Sequence, residues 1–591
     1  MTTGHARRVG RAVVLAAAFA GLVLGLVAAA APSRPAAAAQ KDEKKDDYPR
    51  PEAALKKTQG LLGAAECKAC HSETKPEEKD LYKETFGFEF IRLSENIVWS
   101  THDLHSTAYR SLLTDKTVKA KKDKPNPTAQ RMEDKLRKYK GADYTVATDV
   151  GCLACHASTK APLSRVPHAE WKPASFSVTE GVGCEMCHGH GTLYERTHRA
   201  SRDVEKADTD VNPEAVKVVD WRSFPMALKS EWGLTNLRDP ATATHTCASC
   251  HIGNKAEGRF VTHDWYAAGH PPLPPLDLLA YAREQPRHWG FAHEMPYITS
   301  LAKKAEKDKT DKAFALYHYR AGESFVARRF AESALATLAA TATLGAQLAD
   351  DAKAKNDGLD FAAFDCYSCH HNLKYPSERQ DRGYVGRPGR PLYRPAAFAL
   401  ARLVLAHAGE MKGAELKTAA AELDAAELEL ADAFTTKTYG DTDKVKAATD
   451  KLAKWSEAAR KKLDAVRYTT EETKRLFEMV KAAASDDKKP VGDPEVAQLF
   501  TWAIETLYLD LQPKDKKDAP AVLTEMRKAL DGTIVTRLRP NAAFYYEQGV
   551  TGGIPGPTVE SVDNRLKTRM DTFNSFRGDP FRKAFGAVNA P

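Results

Sequence analysis

All ten cysteines of this 591-residue chain fall in C-x-x-C-H pentapeptides, and no other feature restricts the fold as strongly. The five copies are Cys67-Lys-Ala-Cys70-His71, Cys152-Leu-Ala-Cys155-His156, Cys184-Glu-Met-Cys187-His188, Cys247-Ala-Ser-Cys250-His251 and Cys366-Tyr-Ser-Cys369-His370. In such a pentapeptide both thiols add covalently to a porphyrin, and the adjacent histidine binds the iron from one face. Zinc ribbons, dithiol redox pairs and disulfide frameworks also use paired cysteines, but none of them requires a histidine directly after the second. Histidine makes up 19 of the 591 residues, so five such placements by chance are of order one in ten million or rarer. The expectation is five covalent haems c, with His71, His156, His188, His251 and His370 as proximal ligands.

Covalent haem is attached outside the cytoplasm, and the N-terminus reads accordingly. Arg7, Arg8 and Arg11 precede an uncharged run from Ala12 to Ala31, followed by small residues up to Ala39. Residues 1–39 therefore read as an export signal or, because the run is also long enough to span a bilayer, as an uncleaved anchor. This makes a periplasmic protein, with membrane contact only if the segment is retained. Residues 40–58 are a charged, apolar-poor linker.

Net charge says little about partners. The formal +8 falls to +4 without the four arginines of residues 1–39, and ten haem propionates then outweigh it. No nucleic-acid motif is present, so the expected partners are redox proteins: other cytochromes or a quinol-linked membrane complex.

The fold class reads as mainly α, with an irregular, loop-rich multihaem domain over 59–395 and helices around each attachment site. A C-terminal helical bundle or cap follows over 396–591. Lys312 to Ala352 reads as one long Ala-rich helix. Leu416, Ala419, Leu423, Ala426, Leu430 and Ala433 alternate at spacings of three and four, as do Val445, Ala448, Leu452, Trp455 and Ala459. Small residues on these seams predict two closely packed antiparallel helices. Two more amphipathic helices are expected at 470–485 and 493–511, and no β-sheet signal is present.

Fourteen histidines remain for the second axial positions. His263 and His270, seven residues apart, would sit about 10 Å apart along a helix, too far to serve one iron. Each could serve a different haem, clamping two together. His371, beside the proximal His370, cannot reach the far face of the same iron but could serve a neighbour. His102 and His105 share one helical face, and His198 follows its attachment site by ten residues. His168, His190, His245, His288, His293, His318 and His407 read as surface or propionate-binding histidines.

The stretches "VWSTHDLHSTAYRSL", "VGCLACHA", "EGVGCEMCHG" with His198 beyond it, "CASCHIG" with "THDWYAAGHP", and "FDCYSCHHNL" resemble the cytochrome c-554 family of multihaem cytochromes. The resemblance spans roughly residues 95–375. It implies electron transfer outside the cytoplasmic membrane, often linked to the oxidation of nitrogen compounds. It favours His105 over His102 as a distal ligand and supports His198, His263 and His270 in that role. The family's namesake carries four haems where this chain has five motifs, and the third motif continues "HGHG" where a proline is commoner. Nothing in the family's small members corresponds to the region from 396 onward.

Two functions follow from these readings. An electron carrier needs six-coordinate, mostly bis-histidine haems close enough for electrons to hop. The alternative is a reductase or oxidase of a small nitrogen or sulfur compound. It needs one haem with an open face, with His102, His190 or Arg110 nearby to supply protons or charge.

Overall fold

The computed structural model describes residues 61–72, 94–118, 124–159, 177–192, 194–195, 198, 221, 225–370, 389–411, 415–489, 491–512 and 576–590. The export segment, the charged linker and His371 lie outside these residues. Pro51–Pro591 form one compact unit. The fold is mainly helical, and the only β pairings among the described residues are the isolated bridges Asn254–Arg259 and Phe364–Tyr393.

The first part of the unit is built of short helices. The first four C-x-x-C-H motifs lie on α1 (Ala64–Lys68), α2 (Val150–His156), α3 (Cys184–His188) and α4 (Pro240–His251), and α5 (His263–Ala268) follows closely. The fifth site is a single 3-10 turn, Cys366–Ser368. Their starts are written in the sequence. The Asp149 carboxylate accepts the Gly151 and Cys152 N–H groups to cap α2, and Asp239 does the same for Ala241 and Thr242 of α4.

The second part is a helical layer. It comprises α6 (Phe325–Lys355), α7 (Ala396–Glu410), α8 (Ala419–Thr435), α9 (Thr442–Lys462), α10 (Thr470–Ser485), α11 (Pro494–Leu511) and α12 (Gly578–Gly586). At 31 residues, α6 is about 46 Å long and packs against both α4 and α9. Alanines let the helices approach closely. At Gly345 a Cβ would stand 2.8 Å from Thr449 Cγ2 and 3.0 Å from the Tyr393 hydroxyl, so any larger residue would force a neighbour at this crossing to shift. The two seams read from the sequence pack as the pair α8–α9, and the two amphipathic segments form α10 and α11. Phe581 and Phe585 of α12 are fully buried, with α12 lying against α10.

The expected single helix over Lys312–Ala352 is a correction. A six-residue helix, Lys312–Tyr317, stops at His318, whose backbone is left-handed (φ 52°), and α6 starts only after Ser324. The break comes from local chemistry that the apolar periodicity hides. Gly322 adopts φ 71°, Ser324 Oγ accepts the Ala327 N–H, and His318 turns back to bond Glu332 at 2.8 Å.

A continuous hydrophobic core runs from Ala248 on α4 and Ile252 just after it through α6 to Val588. Among the described residues the wall of short helices has two small clusters of its own, one around Leu112, Met132 and Leu153 and one around Ile298 and Tyr319. No described helix is long and apolar enough to cross a membrane.

Candidate functional site

One turn of helix brings both cysteines and the histidine of a C-x-x-C-H pentapeptide to the same side. The backbone closes that turn even outside regular helix, with His71 N–H donating to Cys67 O at 3.0 Å and His370 N–H to Cys366 O at 2.8 Å. The ten thiols form no disulfides.

The first four motifs line one cavity of about 1990 Å³. Pockets for a single small ligand run to about 300–1,000 Å³, so this space suits several prosthetic groups. Its lining is largely apolar, as a porphyrin face requires, and the helical layer contributes Pro494, Gln498 and Leu509 of α11. The fifth motif stands apart from it, with Cys366 and Cys369 exposed.

Four proximal histidines each face a second histidine ring, and the spacing barely changes. Ring centres are 6.2 Å apart for His251 and His105, 6.4 Å for His156 and His270, 6.3 Å for His188 and His288, and 6.3 Å for His370 and His263. Two iron–nitrogen bonds of about 2 Å, plus roughly 1 Å from each nitrogen to its ring centre, add to about 6 Å. The pairs thus match the geometry of an iron held between two imidazoles, and the residues fit haem c.

The ring nitrogens agree with this. Nδ1 of His105 meets Asp103 Oδ1 at 2.9 Å, and Nδ1 of His270 donates to the Pro271 carbonyl at 2.8 Å. Nδ1 of His288 donates to the Pro286 carbonyl at 3.2 Å, and His156 meets the Ala108 carbonyl at 3.1 Å and Ser111 Oγ at 2.9 Å. With Nδ1 engaged in this way, a ring would bind a metal through Nε2. Burial, followed by neighbouring histidines, pushes His188 and His270 down to about 4 and His251 to about 3, so these rings are neutral at neutral pH, as metal ligands must be.

The fifth proximal histidine, His71, bonds Glu95 Oε2 at 3.0 Å; burial opposes protonation of the ring, but the carboxylate outweighs it and raises the pKa. His198 lines the same cavity. Its Nδ1 donates to the Tyr194 carbonyl at 3.0 Å, and it lies close enough to His71 for that ring's charge to help burial depress its own pKa.

The structure therefore brings His105, His263 and His270 each against a proximal ring, and it sends His263 and His270 of the α5 segment to two different motifs. His288 is the residue the sequence reading passed over. It sits in a loop, "QPRHWG", with no helical periodicity, and only the tertiary fold sets it opposite His188. His102 and His190 do not line the cavity, whereas Arg110 does. His245, His318 and His407 are occupied by Glu457, Glu332 and Glu472.

The motifs also touch one another in an order unlike their order in the chain. Cys67 Sγ lies within hydrogen-bond reach of Cys184, and Cys155 within reach of Cys250. The Cys187 thiol is pushed up to about 12 by burial and then by Cys247, Asp103 and Cys250.

Comparison with known proteins agrees with this chemistry. Residues 94–189, which hold the second and third motifs, match the family described as cytochrome c554 and c-prime. Neither curated proteins nor solved structures give a match. With covalent-haem motifs set in a helical fold and a family match across two of them, the chain is a c-type cytochrome, an electron carrier resembling the cytochrome c554 family.

Proposed function

We propose that this chain is an exported, periplasmic pentahaem cytochrome that carries electrons between redox partner proteins. Cys67/Cys70, Cys152/Cys155, Cys184/Cys187, Cys247/Cys250 and Cys366/Cys369 would each attach one haem c. The axial pairs would be His71 with His198, His156 with His270, His188 with His288, His251 with His105 and His370 with His263. The observation that carries this reading is the near-constant spacing of four histidine pairs, 6.2–6.4 Å, one at each of four separate motifs.

When bound, the haems supply the one-electron iron couple, which the protein tunes but does not perform. The chain's own residues set the order. Thiol proximity links motif one to three (Cys67, Cys184), three to four (Cys187, Cys247) and four to two (Cys250, Cys155). The α5 segment then joins motif two to motif five through His270 and His263. The resulting path is one–three–four–two–five, enclosed over its first four members and reaching the surface at Cys366 and Cys369. Other cytochromes or a quinol-linked membrane complex are the partners such a path would serve.

The test is an optical and EPR spectrum of the purified protein, with carbon monoxide added after reduction. Five low-spin centres that ignore carbon monoxide are expected. A high-spin centre whose spectrum shifts with the gas would replace this reading with a reductase or oxidase acting at an open haem, and His71 would be the first place to look for it.

A further inference from the structure

The histidines of the site differ in what holds Nδ1, and the difference is one of charge. His71 bonds the carboxylate of Glu95 at 3.0 Å, and His105 bonds that of Asp103 at 2.9 Å. Asp103 is 3 % exposed; its Oδ1 also accepts the His105 backbone N–H at 3.0 Å, and its Oδ2 accepts Gln285 Nε2–H at 3.1 Å. Nδ1 of His156, His198, His270 and His288 meets backbone carbonyls or a hydroxyl, supplied by Ala108, Ser111, Tyr194, Pro271 and Pro286.

A carboxylate accepting the Nδ1 proton pulls the ring toward imidazolate, so Nε2 becomes a stronger donor. The bond is charge-assisted and, in a cavity screened from water, stronger than one to a carbonyl. A more basic ligand and a nearby negative charge both favour ferric over ferrous iron. We propose that Glu95 and Asp103 are potential-setting residues that lower the potentials of the haems of the first and fourth motifs. The inference rests on the axial pairing proposed above. A purely orienting role for the two carboxylates is the competing explanation, and Gln or Asn would preserve it.

The test is a spectropotentiometric titration of the holoprotein with Glu95→Gln and Asp103→Asn. In each variant one of five one-electron components moves to higher potential while the low-spin EPR signals stay. The expected change is at least threefold in the ferric/ferrous equilibrium constant, about 30 mV for one electron. Ser111→Ala, which removes a neutral partner of His156, moves its component by less. Components that stay in place or move down in Glu95→Gln and Asp103→Asn overturn the proposal. Glu95 is partly exposed and carries the test alone if Asp103→Asn does not fold. His105→Ala separates the two readings. A new high-spin signal there, with potentials unmoved in Asp103→Asn, sinks the tuning but keeps the pairing. No spectral change in His105→Ala sinks the pairing itself.

Discussion

The cavity wall and the helical layer are cohesive for different reasons. In the layer, α6 to α12 bury Leu, Phe and Ala against one another in a continuous core, with Phe434, Phe477, Trp502 and Phe581 almost wholly enclosed. The wall surrounds about 1990 Å³ of space and, among the described residues, keeps two small apolar clusters. A layer of that kind can exist on side-chain burial alone, whereas a wall of short helices cannot. Haem c held in that cavity would supply the apolar contacts the wall lacks, which predicts that folding of the wall depends on haem attachment.

The largest effect that would break this contrast comes from withholding the haem. In protein made without haem attachment, hydrogen exchange should leave α6–α11 protected, while residues 61–72, 94–118 and 177–192 exchange at near-unfolded rates. Protection of both regions alike would mean the wall has a core of its own.

Next in size is a cavity cut into the layer. Phe477→Ala, at a fully buried position on α10, should cost about 3–5 kcal/mol in denaturant unfolding. The haem spectrum should not change. A spectral shift would show that the layer sets haem geometry and does not merely cover it.

A smaller effect tests the seam between the two regions. Glu332 is fully buried on α6, pairs with Arg328 and His318, and lies near Asp239, which caps the fourth attachment helix. Burial raises the Glu332 pKa, but His318 and then Arg328 outweigh it, so the folded value lies below the usual carboxylate range. Its contribution is present above the unfolded value of about 4.3 and is lost as pH falls through the lower folded value. Glu332→Gln should therefore cost on the order of 2–3 kcal/mol at pH 7. It should also flatten the loss of stability below about pH 4. Acid titrations of the two proteins followed by circular dichroism would check both statements, and parallel curves would count against the pairing.

The smallest effect should be none. Lys353 and Asp443 join α6 to α9 at 2.8 Å, but both are exposed, and solvent screens such pairs. Lys353→Ala should leave the unfolding midpoint where it is. A measurable drop would mean the α6–α9 seam depends on charge as well as on Gly345 and its alanines.

Some of this was written along the chain and some was not. Each attachment site is local, because C-x-x-C-H occupies a single turn and needs no distant residue to define it. The helices from Ala419 to Leu511 are likewise legible, since an apolar seam repeating every three to four residues is a property of neighbours in sequence. The conclusion that His263 and His270 cannot share one iron also needed only the rise of a helix.

What tertiary structure decided was which ring faces which. His288 carries no periodic signal and gains its place because Pro286 and the fold of its loop set it opposite His188. The proposed order one–three–four–two–five is not the order of the chain, because the fold brings Cys67 to Cys184 and Cys155 to Cys250. The break at His318 belongs here too, made by a ring that turns back to Glu332. Sequence fixes chemistry that fits within one helical turn, and tertiary packing chooses the partner whenever an iron needs a ligand from each side.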